Sequence, residues 1–214
     1  MAPAVMLDVV PDGVSPVVAM ALVRSGRVAL AALELARLRP GESVLVTAAA
    51  GGVGRLAVQL AKALGAGHVI GTVSDPAKAE FVHGQGAYQV VLSSQPDWPV
   101  EVDVVVEGVG GEVLERAVKC VKPFGRLVTL SAAPAQLASH DLLTGPRTVT
   151  GLSMGQIVRN RPDLIRTWTA RLWELLAAGQ LRPAIAAELS LEEAPKAYQL
   201  LADRANLGKV ALVP

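Results

Sequence analysis

The chain has 214 residues, of which 51% are hydrophobic and 18% charged, with a formal net charge of +1. This length and composition predict a globular protein with one sizeable core plus an appendage, and they exclude two full enzyme domains of ordinary size. Acidic and basic residues are interspersed, so no broad basic field is available for nucleic acid as the principal partner.

The first predicted elements are a helix over residues 17–38, ended by Pro40-Gly41, and a short apolar strand over residues 44–47. A glycine turn and a helix over residues 53–64 follow this strand directly. A strand, a glycine turn and a helix N-terminus in this order are typical of an anion site, because the first helical N–H groups lack intrahelical partners and the helix dipole adds positive charge. The alternative is an ordinary strand-to-helix turn.

The glycine turn matches the dinucleotide fingerprint G-x-G-x-x-G with one change, since Ala49 occupies the first glycine position. Gly51 and Gly54 occupy the second and third positions, which serve backbone approach to a phosphate and close packing of helix on strand. Together with Gly52 and Val53, these residues are predicted to bind the pyrophosphate of a dinucleotide.

Strand and helix patterns then alternate, as in parallel βαβ units. Further strands are predicted over 68–73, 88–92, 102–107, 127–130 and 148–153, with helices from 76, over 112–121 and over 162–178. The segment 93–100 contains two prolines and predicts an irregular crossover. Six strands predict a Rossmann-type, doubly wound parallel α/β sheet of order 3-2-1-4-5-6, with the ligand at the carboxyl ends of the strands beside the first.

A small helix-plus-strand appendage is predicted after this sheet. A capping box over residues 190–193 opens a helix that runs through Ala202, and a strand follows over residues 209–213. Pro195 is expected to cost this helix a hydrogen bond. The sixth strand should lie at an open sheet edge rich in β-branched residues, which favours pairing with a second copy of the chain.

The choice between NADPH and NADH depends on the end of the second strand. An NAD site commonly has Asp or Glu about 20 residues beyond the glycines. Here Ser74 ends the strand and Lys78 follows one turn later, which favours the 2′-phosphate of NADPH. Asp75 is the counter-evidence, but its neighbour Pro76 suggests that Asp75 caps the next helix.

No metal site and no reactive thiol are expected. Cys120 is the single cysteine and lies in a helix-like segment, where a buried inert thiol is expected, and the three histidines are scattered.

The longest apolar runs are interrupted well short of about 20 residues, and the N-terminus lacks signal-peptide features. The cytoplasm is therefore the expected location, with no membrane partner.

Five segments of the chain carry a likeness to one known family: residues 48–66 (AAAGGVGRLAVQLAKALGA), 38–46 (LRPGESVLV), 109–115 (VGGEVLE), 125–128 (GRLV) and 208–210 (GKV). Together they resemble the zinc-independent quinone oxidoreductase branch of the medium-chain dehydrogenase/reductase superfamily. The resemblance implies a Rossmann-type domain that binds NADPH, a usually dimeric assembly and a second, GroES-like domain over the nicotinamide. It divides the chain into a leading segment (1–40), the cofactor domain (41–180) and a return segment of the otherwise missing domain (181–214).

The resemblance also assigns Arg204 to the cofactor phosphate. Two departures from it are Ser93, where many relatives carry a tyrosine, and Val28, where relatives carry a threonine near the nicotinamide. The implied reaction is hydride transfer from NADPH to a small quinone or α,β-unsaturated carbonyl compound, with no catalytic residue nominated. Ser131 and Met154 are candidates for lining the nicotinamide end, with packing or loop roles as the alternative.

Two other functions are compatible with these residues. The chain could be a nucleotide-binding or dimerisation module without turnover of its own, since an open nicotinamide site would admit water and position substrate poorly. It could also be an excised enoyl reductase piece of a polyketide synthase, although residues 71–78 look more like the freestanding enzymes.

Overall fold

A computed structural model describes residues 7–203 and 206–214. Its strands are β1 (Ser43–Val46), β2 (His68–Val73), β3 (Gln89–Leu92), β4 (Val102–Glu107), β5 (Val121–Thr129), β6 (Thr148–Gly151), β7 (Ile185–Ser190) and β8 (Lys209–Val213). Its α-helices are α1 (Pro16–Leu35), α2 (Gly54–Ala63), α3 (Ala79–Gly84), α4 (Gly111–Lys119), α5 (Ser139–Thr144), α6 (Met154–Asn160), α7 (Pro162–Ala177) and α8 (Ala194–Ala202).

The main sheet has six parallel strands in the order β3-β2-β1-β4-β5-β6, which confirms the predicted topology. β5 begins at Val121, six residues before the predicted start at 127. Val121 pairs with Val102 of β4, and the pairing then shifts register before Val104 pairs with Arg126. Pro123 and Gly125, within the irregular stretch, conceal this early start from a pattern of alternating apolar residues.

Apolar residues on both faces of the sheet divide the core into two layers. In β1, Val44 and Val46 belong to the layer that packs against α1, α2 and α7, whereas Leu45 belongs to the opposite layer against α4. Both faces of β1 are fully buried, as expected of a central parallel strand covered on both sides.

The crossover between β3 and β4 contains no helix, as the two prolines predicted. Trp98 lies in this irregular segment with only 7% of its surface exposed, and it packs in the α4 layer of the core. One large aromatic side chain therefore covers sheet surface that a crossover helix covers in a regular βαβ unit.

α1 is long and apolar enough to cross a membrane by length and composition, and it is the one such helix among the described residues. It contains Arg24, Gly26 and Arg27, and more than half of it is buried inside the protein. The Arg27 guanidinium pairs with Asp8 and donates a hydrogen bond to Thr169 Oγ1 of α7 at 2.7 Å. Its contacts are those of a core helix.

The appendage contains one strand more than predicted. β7 pairs in parallel with β8 to form a separate two-stranded sheet. The sequence of β7, IAAELS, contains a single β-branched residue, so strand propensity does not identify it.

The prediction that Pro195 costs the C-terminal helix a hydrogen bond is wrong. A 3₁₀ turn over Leu191–Glu193 carries the capping box, and α8 begins only afterwards, with Pro195 in its first turn. The backbone nitrogens of a first helical turn have no intrahelical acceptor, so the proline removes no hydrogen bond there.

Candidate functional site

A cleft of about 460 Å³ lies at the carboxyl ends of β1, β2 and β4. Its wall includes Gly51 of the glycine turn, Ser74 and Lys78 beyond β2, and Ser93 beyond β3. β1 and its two neighbours meet at the point where the strand order reverses, which is where doubly wound sheets bind ligands.

The third glycine of the turn is required by packing. A Cβ added to Gly54 would lie 2.2 Å from the carbonyl oxygen of Ala48 and 2.8 Å from Ala49 Cα, so only hydrogen fits between α2 and the end of β1. This confirms the predicted reason for a glycine at this position. At Gly51, a Cβ would lie 3.2 Å from the same Ala48 oxygen, which is tight but less severe.

Ala49, in the first glycine position of the fingerprint, is accommodated by the neighbouring strand. Its methyl group is fully buried, and a Cβ on Gly71 of β2 would lie 2.8 Å from it. Gly71 therefore provides the space that the missing fingerprint glycine would otherwise provide. Ala48 has a φ of 48°, a left-handed conformation that non-glycine residues seldom adopt outside tight turns and functional sites.

The start of α2 presents free donors. Among the described residues, the N–H groups of Gly52, Val53 and Gly54 have no acceptor, and no side chain caps the helix at Val53. Unpaired N–H groups at a helix start form an anion site, because the helix dipole adds partial positive charge. The donors that the fingerprint predicted are thus present beside the cleft.

At the end of β2, the carboxylate of Asp75 accepts a hydrogen bond from the Ala77 N–H at 2.9 Å and caps the following 3₁₀ turn. The prediction that Asp75 is a capping residue is confirmed. Ser74 and Lys78 line the cleft together, but Arg204 lies outside the described residues. Their assignment to a cofactor phosphate stays a prediction.

Glu107, at the carboxyl end of β4, shapes the next wall of the cleft and was missed by sequence reasoning. Its side chain is fully buried and accepts hydrogen bonds from the N–H groups of Val109 and Gly110 at 2.5 and 2.8 Å. The hydroxyls of Thr129 and Thr47 donate to it at 2.9 and 3.4 Å. The sequence does contain a signal for this role, because Glu107 is an acidic residue at the end of a strand and directly before the turn Gly-Val-Gly-Gly.

The residues considered for the nicotinamide end are not among those that line this cleft, although Ser131 is hydrogen-bonded to Val109, which does line it. Ser131 Oγ donates to the Val109 carbonyl at 3.0 Å and accepts from the Ala133 N–H, so it joins the loops after β4 and β5. Met154 opens α6 and packs against the core, and Val28 is half-buried in α1. The role of Ser131 in cofactor binding stays a prediction.

Cys120 follows α4 and is buried, and this burial raises the pKa of its thiol to about 11. The expected burial of Cys120 is confirmed, and the raised pKa disfavours the reactive thiolate at neutral pH. Residues 7–203 and 206–214 contain no group of three or more His, Cys, Asp or Glu side chains that could hold a metal ion.

Comparison with known proteins agrees with this geometry. A family model described as zinc-binding dehydrogenase matches residues 64–212. Quinone oxidoreductase of Pseudomonas aeruginosa is 33% identical over 95% of the chain and 66% of its own length. Acryloyl-coenzyme A reductase of Metallosphaera sedula is 35% identical over 84% of the chain and 53% of its own length.

Among solved structures, quinone oxidoreductase of Escherichia coli complexed with NADPH superposes with a TM-score of 0.87 at 30% identity. The match covers 97% of this chain and 68% of that one. The chain thus spans between half and two thirds of the length of the two curated relatives. With the family model covering most of its residues and the fold shared, the chain belongs to the zinc-binding dehydrogenase family of the medium-chain dehydrogenase/reductase superfamily, together with the quinone oxidoreductases.

Proposed function

We propose that this chain is the cofactor-binding portion of an NADPH-dependent, zinc-independent oxidoreductase that reduces quinones or α,β-unsaturated carbonyl compounds. One observation carries the proposal: at the start of α2, the N–H groups of Gly52, Val53 and Gly54 have no acceptor among the described residues and stand beside a cleft at the switch point of the sheet. The relative solved with NADPH supports this cofactor.

The residues of the cleft fit a dinucleotide. The N–H groups at the start of α2 would bind its diphosphate, and the lack of a side chain at Gly51 would let the backbone approach it. Ser74 and Lys78 would bind the 2′-phosphate, joined by Arg204. When bound, NADPH supplies a hydride to the acceptor, and the protein orients it and excludes water.

Zinc is not needed for hydride transfer to a conjugated acceptor, because the acceptor is already activated by conjugation. The scattered histidines and the single, buried cysteine support this part of the proposal. A soluble, cytoplasmic protein acting on a small molecule fits the proposal, with no membrane or nucleic-acid partner.

A nucleotide-binding module without turnover is the second candidate. The chain spans 66% of the Pseudomonas aeruginosa relative, so groups that cover the nicotinamide in that relative can lie in the remaining third. An enoyl reductase portion of a polyketide synthase is a variant of the first candidate with a carrier-bound substrate. Turnover separates these candidates: NADPH oxidation with a quinone or an enone supports the enzyme, and binding without oxidation supports the module.

Titration of the purified protein with NADPH and NADH tests the cofactor directly. We expect tighter binding of NADPH, and replacement of Lys78 with glutamine should weaken NADPH by about tenfold while leaving NADH unchanged, since only NADPH carries the 2′-phosphate. Lys119→Gln, at the exposed end of α4, is the matched control. Tighter binding of NADH to the unaltered protein would contradict the assignment of Ser74 and Lys78.

We also propose a homodimer formed through β6. This strand lies at the edge of the sheet, and its residues Thr148, Val149 and Thr150 have the β-branched side chains that favour strand pairing. Light scattering at micromolar concentration should give twice the monomer mass, and Thr148→Lys, at an exposed edge position, should give the monomer. A monomeric unaltered protein would rule the dimer out.

A further inference from the structure

A second cleft, of about 610 Å³, lies beside the C-terminal half of α2, away from the glycine turn. It is bounded by the ends of α2 and α3 and by the segment 179–184, which leads from α7 to β7. Among the described residues, it shares no lining residue with the cleft at the carboxyl ends of the strands. The two clefts are therefore separate.

The side chains that line the second cleft are cationic or neutral. Lys62 and Arg182 are the cations, Gln59, Gln85 and Gln180 carry amides, and none of the described lining residues is acidic. Positive charge without a carboxylate in the same wall favours an anionic ligand, because the Coulomb attraction is not cancelled locally.

The aliphatic stem of Lys62 is positioned by a glycine. A Cβ added to Gly86, in the turn between α3 and β3, would lie 2.9 Å from Lys62 Cδ. Gly86 has a φ of 109°, a conformation that glycine adopts far more readily than other residues. The Lys62 side chain therefore leaves α2 and lies across the turn after α3, on one side of the cleft.

Arg182 is held through its backbone. The buried side-chain amide of Gln59 accepts a hydrogen bond from the Arg182 N–H at 2.7 Å and donates one to the Arg182 carbonyl at 3.2 Å. The same amide donates to Gln85 Oε1 at 2.5 Å, which joins α2 to the end of α3. Pro183 further restricts the backbone of Arg182 to extended conformations. The main chain of Arg182 is thus fixed in the wall of the cleft without use of its guanidinium.

Capping of helix ends does not account for these two cations. Lysine and arginine near a helix C-terminus can bind its last carbonyl groups. Within residues 7–203 and 206–214, however, neither Lys62 nor Arg182 donates a side-chain hydrogen bond to a carbonyl or pairs with a carboxylate. The ends of α2, α3 and α7 add partial negative charge of about half an elementary charge each at most, which is less than the two full positive charges.

We propose that the second cleft is a ligand site that binds a small phosphorylated or carboxylated metabolite through Lys62 and Arg182. The planar guanidinium would bind two oxygens of the anion and the ammonium another, while the amides of Gln85 and Gln180 face the uncharged part of the ligand. A bound anion would join α2 to the segment before β7. The inference goes beyond the proposed function, because it uses none of the residues assigned to the dinucleotide.

Titration of the isotope-labelled protein with inorganic phosphate and, separately, with succinate tests the site. We expect saturable shifts of the side-chain amide signals of Gln85 and Gln180 in NMR spectra, whereas sodium chloride at equal ionic strength should give none. Tighter binding of phosphate would assign the site to phosphorylated ligands, and tighter binding of succinate would assign it to carboxylates. Absence of saturable shifts with both anions, or shifts confined to residues 51–54, would overturn the proposal.

Arg182→Gln and Lys62→Met test the two cations. R182Q keeps the backbone pairing with Gln59, and K62M keeps the aliphatic stem over Gly86. Each should weaken binding of the preferred anion by about tenfold and leave the melting temperature without ligand within about 2 °C of that of the unaltered protein. Lys119→Gln, at the exposed end of α4, is the matched control and should bind the anion normally.

Titration of the same variants with NADPH separates this inference from the proposed function. R182Q and K62M should bind NADPH as the unaltered protein does, because their side chains lie outside the dinucleotide cleft. Anion affinity that is unchanged in both variants would overturn the second site, whatever the result with NADPH. Failure of the unaltered protein to bind NADPH would contradict the proposed function alone.

Discussion

Replacement of Gly54 with alanine should destabilise the fold by about 3 kcal/mol or more. The new methyl carbon would lie 2.2 Å from the Ala48 carbonyl oxygen and 2.8 Å from Ala49 Cα, and both are backbone atoms that no rotamer change can move away. α2 would have to shift away from the sheet, and the N–H groups at its start would move with it. Urea denaturation and NADPH titration should therefore report losses of both stability and affinity.

Gly84→Ala is the matched control for this substitution. Gly84 is also a helical glycine, but a Cβ added to it would meet nothing within 4 Å. Alanine there should change the free energy of unfolding by less than about 1 kcal/mol, in the stabilising direction, because alanine favours helix. Equal stability of G54A and G84A would show that close packing of α2 on β1 is not the reason for Gly54.

Replacement of Glu107 with alanine should cost about 3 kcal/mol of folding stability. The buried carboxylate accepts from two backbone N–H groups and two threonine hydroxyls, and alanine leaves these donors without a partner in a site closed to water. The loop that contains Gly108 and Val109 would lose its shape, and both residues line the cleft. Denaturation and nucleotide titration measure the two effects separately.

Glutamine at position 107 is the conservative comparison. Glutamine keeps one oxygen acceptor but places an amide N–H₂ group among hydrogen-bond donors. We therefore expect E107Q to lose some folding stability, but less than E107A. Glu188→Gln, at an exposed position of β7, should be neutral. If E107A keeps both stability and NADPH affinity, Glu107 does not organise this loop.

The glycine turn and the sheet topology were predictable because both follow from local rules. The dinucleotide fingerprint between the first strand and its helix is typical of the doubly wound dinucleotide-binding fold, whose usual strand order is 3-2-1-4-5-6, and this is the order observed. The steric need for glycine at position 54 and the capping by Asp75 depend on residues within six positions along the chain. Spacing along the sequence is sufficient for interactions of this range.

The missed features depend on residues far apart in the sequence. β7 has weak strand propensity and forms through its pairing with β8, more than 20 residues later. Gly71, on the neighbouring strand β2, leaves space for the methyl group of Ala49. Glu107 accepts hydrogen bonds from Thr129 and Thr47, which lie on or next to two other strands. No short-range pattern distinguishes such residues from ordinary polar or small ones.

The sequence by itself determined the order of the sheet, the position of the glycine turn at the start of α2 and the capping role of Asp75 after β2. These follow from periodicity, steric limits on the backbone and capping, all of which act over a few residues. Only the tertiary structure decided that Glu107 holds the β4 loop and that the Arg55 guanidinium is buried with no hydrogen-bond partner among residues 7–203 and 206–214. The reason is physical: burial and the meeting of charges depend on how distant segments pack, and neither is encoded at the residue concerned.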